Sequence, residues 1–110
     1  MDKAIVDHRI YTIRPRCMAA FLEAFDTLAM PILLRHLGPP LAFYVSSIGP
    51  LNQVVHLWGY DSLDDFEKRS AARDADPDFA AYLHATRDLV VAQETRIVRP
   101  VQFKALKRSL

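Results

Sequence analysis

The sequence predicts an α+β fold of the ferredoxin-like plan, a four-stranded antiparallel sheet with two helices on one face. Three observations point there. Two stretches, Ala4–Ile13 and Gln53–Tyr60, carry large apolar residues at the two-residue period of a strand. Each is followed by a stripe at the spacing of a helix. Between them a second strand and a turn complete the order β-α-β-β-α-β.

The first strand splits Ile5, Asp7, Arg9, Tyr11 and Ile13 onto one face and Val6, His8, Ile10 and Thr12 onto the other. Pro15 then suits the first turn of a helix, where no N–H is needed. That helix is expected over about Pro15–Leu37, with Met18, Phe21, Leu22, Phe25 and Leu28 as its buried stripe. Pro31 removes a bond to Thr27 and predicts a kink or break. Gly38 stops the helix, and Pro39-Pro40 forbids continuation. A second strand follows over Leu41–Ile48, joined by the Gly49–Asn52 turn to the third, Gln53–Tyr60. Ser62 with Asp65 has capping-box spacing and opens the next helix, with Leu63, Phe66 and Ser70 inward. Asp76 and Pro77 read as cap and first residue of another helical piece, whose stripe is Phe79, Tyr82, Leu83, Thr86, Leu89 and Val90. The last strand is expected over Gln93–Val101. The first and third strands should lie side by side at the sheet centre, as a parallel pair joined by a right-handed crossover.

The 110 residues suit one domain, over residues 1–103, with 104–110 as a tail. A composition 51% hydrophobic and 25% charged is that of an ordinary globular domain, and a net charge of +1 supplies no field to attract nucleic acid. No apolar run approaches the length of a bilayer span, so no membrane association is expected. Cys17 is the single cysteine, so no internal disulfide can form. That fits a reducing compartment, and a cytoplasmic location is expected.

Helices on one face leave the other face of the sheet bare. Tyr11 and Ile13 oppose Ile10, and Trp58 and Tyr60 oppose Leu57, so one apolar set must point away from the helices. Such a patch exceeds what monomers normally expose. Pairing of two open faces about a two-fold axis, a homodimer, is the simplest way to bury it.

The run Ile48-Gly49-Pro50-Leu51-Asn52-Gln53-Val54-Val55-His56-Leu57-Trp58-Gly59-Tyr60-Asp61-Ser62-Leu63 resembles the NIPSNAP family. Arg9-Ile10-Tyr11-Thr12-Ile13-Arg14-Pro15, Arg35-His36-Leu37-Gly38 and Glu94-Thr95-Arg96-Ile97 are similar too, so the likeness covers about residues 4–101. The resemblance implies the dimeric α+β barrel fold. That superfamily includes cofactor-free monooxygenases, muconolactone isomerases and haem-binding members, while NIPSNAP proteins have no settled activity. In the family the proline of the first turn is usually followed by glycine; here Arg16 stands there. His8 falls where relatives carry an aliphatic residue.

His56, Trp58 and Tyr60 share one strand face, being two residues apart. An imidazole could take a proton, a tyrosine could bond an oxyanion, and an indole could stack on a ring. His56, His36 and Tyr60 are therefore the candidate catalytic residues. His8, Arg9, Tyr11 and Trp58 are the candidate ligand contacts, although the same residues would serve equally as packed dimer core. His36 could instead cap a helix end. No cluster has metal-ligand spacing, and no phosphate loop or nucleophile elbow is present, so no cofactor or metal is expected. Three functions follow: a homodimer holding a small hydrophobic or aromatic molecule between sheet and helices, a cofactor-independent monooxygenase or isomerase-like enzyme with a histidine base, or a non-catalytic protein-interaction dimer.

Overall fold

β1 (Ile5–Ile13) and β3 (Gln53–Tyr60) form the centre of a four-stranded sheet, flanked by β2 (Ala42–Val45) and β4 (Val90–Val98). The strand order is β2-β3-β1-β4. The structure is a computed structural model that describes residues 3–108.

β1 and β3 are adjacent, as expected, but antiparallel: Ile5 faces Tyr60 and Thr12 faces Gln53. The expected parallel pairing is corrected by counting reversals. The helical crossover brings β2 back in the direction of β1, and the hairpin then reverses β3. The crossover therefore links β1 to β2, and β3 is inserted between them. β4 runs antiparallel along the other edge of β1, with a bulge between Thr12 and Ile13. That bulge lets β4 begin at Val90, three residues before the expected start.

The crossover comprises α1 (Met18–Ala24), a π-helical turn (Phe25–Ala29) and α2 (Met30–His36) in unbroken succession. The helix does not break at Pro31. The π turn absorbs the disturbance ahead of it, and Pro31 takes a first-turn position of α2. The buried residues explain why this insertion is useful. Phe21, Phe25, Ala29, Leu33 and Leu37 are all buried at strict four-residue spacing. In a regular α-helix each such step drifts by roughly 40°, so the set would wind far around the rod. One wider turn takes back part of the drift and keeps all five against the sheet. Leu37 closes the helix, Gly38 adopts φ 81°, and its N–H donates to the Leu33 carbonyl at 3.1 Å.

α3 (Leu63–Ala75) is capped as expected: Ser62 Oγ accepts from Asp65 N–H at 3.0 Å, and Asp65 Oδ2 accepts from Asp61 N–H at 3.0 Å. Phe66 packs edge-on against Tyr60 at 5.2 Å, whereas Leu63, expected inward, is 52% exposed. α4 (Phe79–Thr86) starts two residues after Pro77. Asp76 Oδ1 instead accepts from Asp78 N–H at 2.9 Å and turns the chain before the helix. Tyr82 and Thr86 are buried, while Leu83 points out. A short α5 (Lys104–Arg108) occupies the expected tail.

The core lies between sheet and helices. β1 sends Ile5, Asp7, Tyr11 and Ile13 into it, and β3 sends Val54, His56, Trp58 and Tyr60. The opposite face, with Val6, His8, Ile10, Val55 and Leu57, is half-buried.

The turn after β1 holds Arg16 at φ 69°, where a side chain costs about 1–2 kcal/mol. Glycine removes that strain and adds about 0.5–1 kcal/mol of unfolded-state entropy. Arg16→Gly is expected to stabilise the protein by about 0.5–1 kcal/mol, a Tm rise of roughly 2–5 °C by calorimetry. A fall in Tm would contradict the assignment of strain to this turn.

Candidate functional site

Arg9 on β1 and His56 on β3 stand directly opposite each other on the helix-facing side of the sheet. His56 is 1% exposed. Two residues along the same face, the Trp58 indole Nε1–H donates to His56 Nδ1 at 2.7 Å. An indole nitrogen can only donate, so Nδ1 must be the acceptor and the imidazole hydrogen resides on Nε2. Burial pushes the pKa of this ring down to about 3, and Arg9 and His8 add to the effect. His56 is therefore neutral at physiological pH, with one N–H to offer.

Aromatic rings surround that imidazole. Phe43 stacks on it at 4.7 Å and 23°, Tyr11 meets it edge-on at 4.6 Å, and Phe25 lies at 5.9 Å. Nε2 has no hydrogen-bond partner, and neither does Arg9 Nε. Arg9 Nε is 3.7 Å from Asp7 Oδ2, close enough for an ion pair but too far for a hydrogen bond. Asp7 is 2% exposed and accepts from the Thr95 hydroxyl. The two residues that carry these orphaned donors, Arg9 and His56, line one small cavity of about 20 Å³, walled also by Tyr11, Phe25, Trp58 and Tyr82. That is room for about one water molecule. Arg73 and Phe79 also border it, with the guanidinium 5.5 Å from the Phe79 ring. Burial raises the pKa of Tyr11 and Tyr82, and burial with the nearby Asp7 pushes Tyr60 up to about 12. These phenols stay protonated at neutral pH.

Of the residues singled out in the sequence, the fold brings His56, Trp58, Arg9 and Tyr11 together. Tyr60 shares their face but packs on Phe66 at the strand end. His8 occupies the opposite face, paired across the sheet with Leu57 and Arg96. His36, at the end of α2, bonds Asp76 Oδ2 through Nε2 at 2.9 Å, beside Arg35 Nη1 on the same oxygen at 2.6 Å. It clasps α2 to the α3–α4 turn and does not line the cavity. Asp7, Phe25, Phe43, Arg73 and Tyr82 belong to this region without having been singled out for chemistry. Asp7 did carry a signal, as an acid in the middle of an otherwise buried strand face. Among the described residues no group of three or more His, Cys, Asp or Glu could hold a metal ion. Among them, too, no helix is long and apolar enough to cross a membrane.

The depressed pKa of His56 has a thermodynamic consequence. Between about pH 6.5 and 3 the unfolded chain binds a proton at this site that the folded chain refuses. The stability associated with the neutral ring is thus complete above about pH 6.5 and is lost progressively as the pH falls toward 3. Urea unfolding across this range is expected to show the wild type losing stability relative to His56→Phe as the pH drops, whichever is the more stable at neutral pH. Parallel curves would show that the ring is not held neutral.

The NIPSNAP family model matches residues 6–105. A NIPSNAP family protein of unknown function from Agrobacterium tumefaciens is 33% identical, with a TM-score of 0.87 over 94% of this chain and 94% of that one. An uncharacterised NIPSNAP-like domain protein from Burkholderia xenovorans is 35% identical, with a TM-score of 0.87 over 94% and 90%. A candidate antibiotic biosynthesis monooxygenase from Nitrosomonas europaea is 15% identical with a TM-score of 0.65 over 89% and 99%, which shows a shared fold alone. No curated protein matches.

Proposed function

This chain belongs to the NIPSNAP family, and we propose that it is a homodimeric binding protein that holds a small hydrophobic or aromatic molecule between sheet and helices. The observation that carries this is the pair of buried, unpartnered donors, Arg9 Nε and His56 Nε2, on facing positions of the two central strands. A buried donor without a partner costs about 1–3 kcal/mol. Two at one cavity are economically explained by a ligand that accepts from both. The aromatic walls supply the apolar and stacking surface for its body.

Pairing of two copies is supported by the half-buried face of the sheet and by β4, whose side chains beyond Val90 are exposed. The radius of gyration, 15.3 Å, exceeds the value of about 13 Å expected for a compact chain of this length. Val101, Phe103 and Leu106 project apolar surface beyond the sheet. The lone cysteine suits a reducing, cytoplasmic setting.

A catalytic reading, a cofactor-independent monooxygenase or isomerase, is favoured by the same two donors, since they could stabilise an enolate. In that reading His56 polarises an oxygen through Nε2–H and does not act as the base, because Trp58 occupies its other nitrogen.

Trp58 is the sole tryptophan, so its fluorescence reports on the cavity wall. A panel of phenols, benzamides, benzoates and cyclic diketones is expected to contain binders that quench it and shift the His56 and Trp58 resonances. Arg9→Met should weaken them about 10-fold or more. Absence of any binder, or shifts confined to other residues, would overturn the reading. Light scattering is expected to give about 25 kDa, twice the 12.5 kDa chain; a monomer at micromolar concentration would overturn the dimer.

A further inference from the structure

With its walls as they stand, the inner cavity is too small for an organic ligand, so the walls must give way for one to enter. At about 20 Å³ it accommodates one or two heavy atoms, whereas ligand sites usually span about 300 Å³ or more. A second space lies behind its wall. An apolar groove of about 330 Å³ is lined by Leu22, Phe25, Asp26, Met30, Pro40 and Phe43. Phe25 borders both spaces. Phe43 borders the groove and lies flat on the His56 ring. The two phenylalanines, 5.0 Å apart, thus form the partition between a groove without buried unpartnered donors and a donor-lined cavity without volume.

Resting on the reading that the interior binds a small molecule, we propose that the ligand is an organic oxyanion with an apolar body, a carboxylate or phenolate, that enters through this groove. Its charged oxygen sits between Arg9 Nε–H and His56 Nε2–H. Its body replaces Phe25 and Phe43 as these rings turn into the groove's free volume. The unpartnered groups at the cavity are both donors, and one belongs to a guanidinium. Asp7, 3.7 Å from Arg9 Nε, is the carboxylate beside it and accepts from Thr95, while Arg73 brings a second cation to the cavity, so positive charge exceeds negative there. The ligand atom between the two donors is therefore an acceptor, and negative charge strengthens both bonds.

Three features of the partition favour this displacement. Phe25 opens the π turn, a feature of helices that recurs at functional sites because its hydrogen bonding is locally rearranged. Phe43 is half-buried on β2, an edge strand of four residues. Met30, on the groove wall, is a side chain that repacks readily.

The test uses 2-naphthoate and its neutral counterpart 2-naphthamide, followed by Trp58 fluorescence and stopped flow, with resonance shifts to locate them. Naphthoate is expected to bind at least 10-fold more tightly than naphthamide. Phe43→Ala should speed its association about 10-fold, and Met30→Asp should weaken it at least 10-fold. Phe43→Leu, which keeps more of the packing, should act in the same direction as Phe43→Ala if that variant unfolds. Equal affinity for the two probes would overturn the oxyanion assignment. Rates and affinities unmoved by Phe43→Leu and Met30→Asp would overturn the route. Failure of both naphthyl probes, with the smaller fragments still bound beside Trp58, would overturn this inference and leave interior binding standing. Naphthoate bound away from His56 and Trp58 would overturn both.

Discussion

The hydrogen bond from the Trp58 indole to His56 Nδ1 governs the interior of this protein. It costs the sequence little, because two residues two apart on a strand share a face. Its effect is large. The imidazole is locked in one tautomer and kept neutral while buried among four aromatic rings. The nitrogen that remains free is a donor, and the residue opposite on β1, Arg9, carries another buried donor without a hydrogen-bond partner. A histidine that looks like a base in the sequence becomes, through one neighbour, an electrophilic hydrogen-bond donor.

The long helix completes that environment. Four-residue spacing of its buried side chains is incompatible with a regular α-helix over this length, and the π turn reconciles the two. The turn also carries Phe25 to within 5.9 Å of His56 and 5.6 Å of Tyr82. Where the helix ends, His36, Arg35 and Asp76 tie it to the α3–α4 turn. Backbone irregularity and aromatic packing are thus one feature seen from two elements.

Much of this was legible in the residues. The limits of β3, the Gly38 stop and the Ser62–Asp65 cap follow from local chemistry, and alternation placed Arg9 and Tyr11 on one face of β1 and His8 on the other. Alternation does not say which face meets the helices, so only the register separates His8 from His56: it sets Arg9, not His8, opposite His56. Adjacency of the two central strands does not make them parallel, because the crossover joins β1 to β2 and β3 lies between the strands that it joins. Phe43 and Arg73 carried no local signal, since they reach the site from an edge strand and a helix distant in sequence. Pro31 announced an irregularity without revealing that the helix would absorb it as a π turn.

The neutral His56 with its hydrogen on Nε2 is the claim on which the interior and its proposed ligand depend. Long-range proton–nitrogen correlation of the histidine rings by nuclear magnetic resonance, followed from pH 8 to 4, measures it directly. The account predicts an acceptor-type Nδ1, a protonated Nε2, and no titration of this ring above pH 4. A hydrogen on Nδ1, or a midpoint near the ordinary histidine value of about 6.5, would contradict it.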